Sequence, residues 1–216
     1  MKLSMSLSAL LLGTLVLFSG CSKDNMKNSP QKYTYSVELT NITAGQAMSP
    51  VLVTSNTIFT VGKKASLGLE KLAEGGDNST LLDANGISGS GLLKPGKSET
   101  ITFTSTSTKI SLASMLVYTN DAFVGLNEVD IAFLNVGDST NLYGLVYDAG
   151  TEENTETNTT VPDLGGEGIN SARESRDTVT LHSGVLSNED GLSTSGLSAQ
   201  FKFASQALYV NITRTK

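Results

Sequence analysis

Polar and apolar positions alternate along much of this chain, beginning at Tyr33. In "YTYSVEL", Tyr33, Tyr35, Val37 and Leu39 fall on one side and Thr34, Ser36 and Glu38 on the other. A period of two is the mark of a half-buried strand. Asn41 to Pro50 is turn chemistry, and "VLVTSNTIFTV" holds one further extended stretch or two. "ETITFTST" alternates again, and "KISLASMLVYT" is the most apolar extended run, which predicts a central strand. "VDIAFL" and "NLYGLVY" follow at short intervals, and "TVTLHSGVL" and "FKFASQALYVNITR" supply closing strands. One segment departs from this rhythm. "ASLGLEKLAEGGD" puts Leu67, Leu69 and Leu72 roughly on one side and runs into Gly75-Gly76, which predicts a short helix. "ANGISGSGLLKPGKS" reads as a Gly-rich loop closed by a Pro-Gly turn. Asp148 to Asp177 is a long polar loop, too polar for a core. Short strands separated by turns, with one small helix, predict an all-β sandwich without internal repeats, one domain over residues 33–216.

The start of the chain changes where this domain is expected to work. Lys2 precedes an apolar stretch, Leu3 to Phe18, followed by "FSGC". This pattern predicts a bacterial lipoprotein signal peptide over residues 1–20, cleaved before Cys21. The apolar stretch is too short for a membrane span. Phe18 stands where Leu is usual, with Leu17 just before it. The chain has a single Cys; at this position it reads as a lipidated anchor, and it leaves no disulfide framework. Residues 21–32 then form a polar tether from Cys21. The residues after Cys21 are Ser22 and Lys23. Neither is the Asp that commonly retains lipoproteins at an inner membrane, so an outer-membrane lipoprotein of the bacterial cell envelope is expected.

Composition and charge narrow the function classes. Charged residues are 17% of the chain, and the net charge is −6 with a pI near 4.8. No basic cluster offsets this, which argues against nucleic acid as a partner. His182 is the only His, and no G-x-S-x-G surrounds a Ser, so no hydrolase triad is legible. "GISGSG" lacks both the phosphate-loop and the dinucleotide spacing. One His and one lipidated Cys do not make a zinc site. His182, in an alternating segment, reads as a surface or structural residue.

Carboxylates are the remaining chemistry. Asp121 follows one apolar strand, and Asp148 follows another, with Glu152 four residues on. If the stretches near 110–119, 129–134 and 142–147 run up, down and up, the ends of the first and third share one rim. Asp121 and Asp148 would then meet, and the Ala149-Gly150 turn could return Glu152 toward them. Three converging carboxylates need either a proton or a cation. An all-oxygen set on a flexible rim suits Ca²⁺ better than Mg²⁺, although no EF-hand loop is present. Solvated strand ends are the plain alternative, and Glu153 and Glu156 are assigned to it.

"YTYSVELTNITAGQAMSPVLV", "FTVGKKASLGLEKLAEGGD", "SLASMLVYTNDAFVGLNEVD" and "YDAGTEENTE" together resemble the spondin N-terminal domain in its bacterial, lipoprotein-borne form. The resemblance runs from about Tyr33 to about Thr213. It implies a C2-like antiparallel β-sandwich with calcium bound at one end by Asp121, Asp148 and Glu152. Glu152 departs from the family's Asp at that position. The animal members are extracellular-matrix adhesion proteins. By this resemblance the chain is expected to be a calcium-binding module, not an enzyme, that meets a protein or glycan partner at the cell surface. A hydrolase acting on envelope glycans, or a purely structural lipoprotein, are the alternatives. The hydrolase needs two carboxyls opposed across a groove, and the absence of Trp removes the commonest sugar-stacking platform.

Overall fold

The computed structural model describes residues 30–84, 86–166, 168–169 and 178–216. The predicted leader, Cys21 and most of the tether lie outside the described residues. The described residues form nine strands: β1 (Tyr33–Asn41), β2 (Leu52–Thr54), β3 (Ile87–Ser88), β4 (Ser98–Ser105), β5 (Lys109–Met115), β6 (Ala122–Asp130), β7 (Ser139–Asp148), β8 (Thr180–Leu181) and β9 (Gln206–Arg214). One helix, α1 (Leu67–Gly75), interrupts them. All pairings are antiparallel, in the order β3-β2-β5-β6-β7-β9-β1-β4, with β8 beside β7. The protein is all-β with one short helix, as the alternating pattern predicts.

The order divides between β6 and β7. One half-sheet is β3-β2-β5-β6 and the other β7-β9-β1-β4. They are joined only where Ala122–Gly125 pairs with Leu145–Asp148. The two halves fold face to face. Between them lie Tyr35, Val37 and Leu39 of β1, Phe103 of β4, Ile110 and Leu112 of β5, Val124 of β6, Val146 of β7 and Val210 of β9, all buried. Alternation in β1 thus has the predicted cause: one set of side chains faces the opposite half-sheet. A second cluster covers the outer face of the first half, where Leu69, Leu72 and Ala73 of α1 pack on Leu52, Ala113 and Phe123.

The C-terminal end of the helix falls at the predicted glycines, and the structure adds an N-terminal cap. Ser66 accepts a hydrogen bond from the Leu69 N–H at 3.2 Å, satisfying one free amide of the first turn. Gly76 closes the helix at φ 69°, and its N–H donates to the Leu72 carbonyl at 2.9 Å. A Cβ there would sit 2.9 Å from the Ser49 Cβ, so both the turn and the packing require glycine. Leu67, assigned by spacing to the buried side, is instead 61% exposed in the first turn.

Three segments differ from expectation. Of "VDIAFL" only Val129 and Asp130 are strand, the end of β6, which begins at Ala122. Ile131 and Leu134 are buried from a turn instead, so their apolar character reflects plugging the core and not pairing. Of "TVTLHSGVL" only Thr180–Leu181 is strand, and the stretch read as a Gly-rich loop contains the short strand Ile87–Ser88. "VLVTSNTIFTV" holds one extended stretch, Leu52–Thr54, one of the two outcomes expected.

Burial separates the aromatic residues by consequence. Phe103 has 0% exposure and Phe133 66%. Phe103→Ala is expected to lower unfolding free energy by about 3–5 kcal/mol, and Phe133→Ala by less than about 0.5 kcal/mol. Chemical denaturation of the two variants checks this.

Candidate metal site at the β6–β7 rim

The strand directions place the acidic residues at one rim. Residues 116–121 turn the chain from β5 into β6, held by the Leu116 N–H to the Ala122 carbonyl at 2.9 Å. The Thr119 hydroxyl donates to the Leu116 carbonyl at 2.6 Å and accepts from the Ala122 N–H at 3.1 Å. Asp121 therefore stands immediately before β6. Asp148 is the last residue of β7 and lies opposite Ala122 on one side and Thr180 on the other. The two carboxylates share a rim, as the up-down-up reasoning predicts, although the middle strand is 122–130 and not 129–134.

Gly150 then reverses the chain. It adopts φ 69°, and a Cβ on it would lie 2.5 Å from the Thr178 carbonyl oxygen. No other residue fits that turn without moving backbone. Its N–H donates to Asp148 Oδ1 at 2.7 Å. Beyond it, the Thr151 and Glu152 N–H groups donate to Asp121 Oδ2 at 2.7 and 3.1 Å, and the Thr151 hydroxyl adds a contact at 3.2 Å. The loop after β7 is thus tied to the turn before β6 by one carboxylate oxygen. The other, Asp121 Oδ1, is buried and has no hydrogen-bond partner.

Burial is nearly complete: Asp121 is 0% exposed, and Asp148 and Glu152 are each 3% exposed. Removal from water pushes the Asp121 carboxyl up to about 7, and the nearby Asp148 charge pushes the same way. The Thr151 and Glu152 N–H bonds oppose them without prevailing. Asp148 Oδ2 is held by Asn154 Nδ2 at 2.7 Å.

Glu152 reaches the rim through its main chain. Its carboxylate accepts instead from Asn120 Nδ2 at 3.4 Å. Among the described residues, no three acidic, His or Cys side chains are gathered as a ready cation cage. The donor chemistry of Asp121 and Asp148 fits a hard cation: buried oxygens, mutual repulsion and one oxygen without a donor. The position of the Glu152 carboxylate does not complete the set as it stands.

The polar loop is not simply solvated. Ala149, Thr151 and Val161 have 0% exposure, and Glu156, assigned to solvent by its polarity, is only 3% exposed. Glu156 sits at φ 50°. Its N–H donates to Asn120 Oδ1 at 3.2 Å, and its carboxylate accepts from the Leu186 N–H. Asn120 therefore bridges Glu152 and Glu156. Burial pushes the Glu156 carboxyl up to about 7. The sequence carries no periodicity around Glu156 that would reveal this. Glu153 is exposed, as expected.

His182 is also buried, at 8% exposure. Its Nδ1 accepts from the Gly184 N–H at 2.9 Å, and burial favours the neutral ring. The ring proton then resides on Nε2, which has no partner. In that tautomer His182 offers a donor at Nε2, while the Asp148 charge opposes the effect of burial on the ring.

Compared with known proteins, the chain matches no family model and no curated relative.

The Glu156 carboxyl gives a pH dependence of definite sign. Its folded value is raised, so between about pH 4.5 and 7 the folded state holds a proton that the unfolded state has released. Stability from this group is present below that window and is lost as pH rises through it. Glu156→Gln keeps an acceptor for Leu186 and should flatten the decline, as melting temperature against pH from 4 to 8 would show.

Proposed function

We propose that this protein is a lipid-anchored, extracytoplasmic calcium-binding module of the spondin type, working at a bacterial cell envelope. The observation that supports it most directly is the buried Asp121–Asp148 pair, with Asp121 Oδ1 left without a donor. Asp121 and Asp148 would hold the ion, with Glu152 as third ligand once its carboxylate leaves Asn120. A bound Ca²⁺ would supply the positive charge that lets both buried aspartates remain ionised. The protein residues do the rest. Asp121 Oδ2 fixes the loop after β7 through two main-chain amides, and Gly150 sets its direction. Together they present one ordered rim to a partner. Envelope placement rests on the leader pattern and on Cys21. Among the described residues, no helix is long and apolar enough to cross a membrane.

A second reading has its own observation. The upward displacement of the Asp121 carboxyl lets a proton take the cation's place, and the rim is then a purely structural feature of an envelope lipoprotein.

Calcium titration separates them. After chelator treatment, calcium at about a hundredfold over its Kd should raise the melting temperature by about 5 °C or more, with heat measurable by calorimetry. Asp148→Asn should abolish the shift, and Asp121→Asn likewise. Absence of both heat and shift at millimolar calcium excludes the calcium reading and leaves the proton.

A further inference from the structure

Below the joined rim, the two half-sheets part. β6 pairs with β7 only as far as Gly125 and Leu145. Beyond that point Leu126 to Asp130 follows β5 alone, and Ser139 to Gly144 follows β9. The separation has a local cause. Two residues of β6, Asn127 and Glu128, face the single Ser111 of β5, a β-bulge. Glu128 takes φ 50° there, and its N–H is received by the Ser111 hydroxyl at 2.8 Å. A bulge sharpens twist and re-aims side chains.

The re-aimed Asn127 builds a wall. Its Oδ1 accepts from the Ile58 N–H at 2.8 Å, and its Nδ2 donates to the Phe59 carbonyl at 2.8 Å. One side-chain amide thereby replaces a strand partner and lays the 58–61 segment across the sheet. Phe59 descends onto Gly125, where a Cβ would stand 2.8 Å from its ring. Its ring packs on Tyr147 at 4.6 Å between centroids.

Between this wall and β7 lies a groove of about 440 Å³, lined in part by Phe59, Val61, Leu126, Tyr143 and Tyr147. That volume is within the range of small-ligand sites. Tyr143 is 46% exposed and Val61 54%, so both stand at the opening. Glu128 is the one charged residue of the lining, and Lys109 neutralises it at 3.0 Å. The polar surface continues outward. Tyr143 packs on Tyr209 at 5.5 Å, whose hydroxyl donates to Asn141 at 2.9 Å, and Asn141 also accepts from Asn211 at 2.6 Å.

We propose that this groove binds an uncharged oligosaccharide. The chemistry selects that class. A compensated lining on an acidic protein offers nothing to an anion, and a cation would have to displace Lys109. Aromatic faces beside amide and hydroxyl groups suit a ligand that is apolar on its ring faces and hydroxylated at its edges. The Tyr209–Asn141–Asn211 surface, bounded by exposed Glu38 opposite Asn211, gives further sugar units of a chain a place to run. The site stands without the calcium reading, since none of Asp121, Asp148 and Glu152 lines it.

Calorimetry on the purified full-length chain should use cellotetraose, xylotetraose, mannotetraose and chitotetraose, each with calcium and with chelator. At least one is expected to bind with Kd of about 1 mM or below, equally in both conditions. Tyr143→Ala should weaken that binding about tenfold or more while the protein stays folded, its melting temperature lowered only by the loss of the Tyr209 pair, and Tyr143→Phe should restore most of the binding. No binding by any of the four overturns the proposal, as does equal binding by Tyr143→Ala. Binding that disappears with chelator and in Asp148→Asn, but survives Tyr143→Ala, moves the glycan to the rim and also overturns it. Displacement of the sugars by extended apolar peptides at far lower concentration identifies a peptide groove instead.

Discussion

The short pairing between Ala122–Gly125 and Leu145–Asp148 is the constraint on which this structure turns. Among the described residues it is the one strand pairing that joins the two half-sheets. Four residue pairs hold it, and the Asp121 carboxylate continues it past the last pair. Asp121 Oδ2 receives the Thr151 and Glu152 amides much as a further strand residue would. A buried carboxyl oxygen thereby does the work of backbone pairing where the chain must turn away. Loss of these hydrogen bonds would leave buried main-chain amides unmet.

Both notable features follow from that seam. At its closed end, the turn from β5 and the end of β7 are forced together, so Asp121 and Asp148 are close and excluded from water. Their repulsion is a consequence of topology, and it is what makes a cation or a proton necessary there. At its open end, the Glu128 bulge twists β6 away from β7 and creates the groove. Glu128 and Glu156 are the two non-glycine residues with positive φ among the described residues. One stands at the groove lip and the other beside the rim. Strain of that kind persists only where surrounding structure over-determines it.

Side-chain amides hold the loops at both ends of the seam. Asn120 reaches both Glu152 and Glu156, and Asn127 holds the 58–59 segment from both sides. Each amide has a donor and an acceptor on one rigid plane, so it can replace a missing strand partner. Asn and Gly do in these loops what paired backbone does in the sheet.

Local pattern was enough to read the all-β class, the strands at β1, β4, β5, β7 and β9, and the helix with its glycine end. Alternation and Gly76 are properties of neighbouring residues, and the forces behind them act over a few positions. The shared rim of Asp121 and Asp148 was also legible, because strand direction follows from counting strands. Burial of Glu156, the parting of β6 from β7 and the amide bridges were not. They depend on residues brought together from distant parts of the chain, and a polar side chain looks the same in sequence whether water or a folded loop surrounds it. Sequence therefore determined which residues could lie on one face. Tertiary structure decided which of them left water, and with that which carboxyls are shifted upward and where a groove opens.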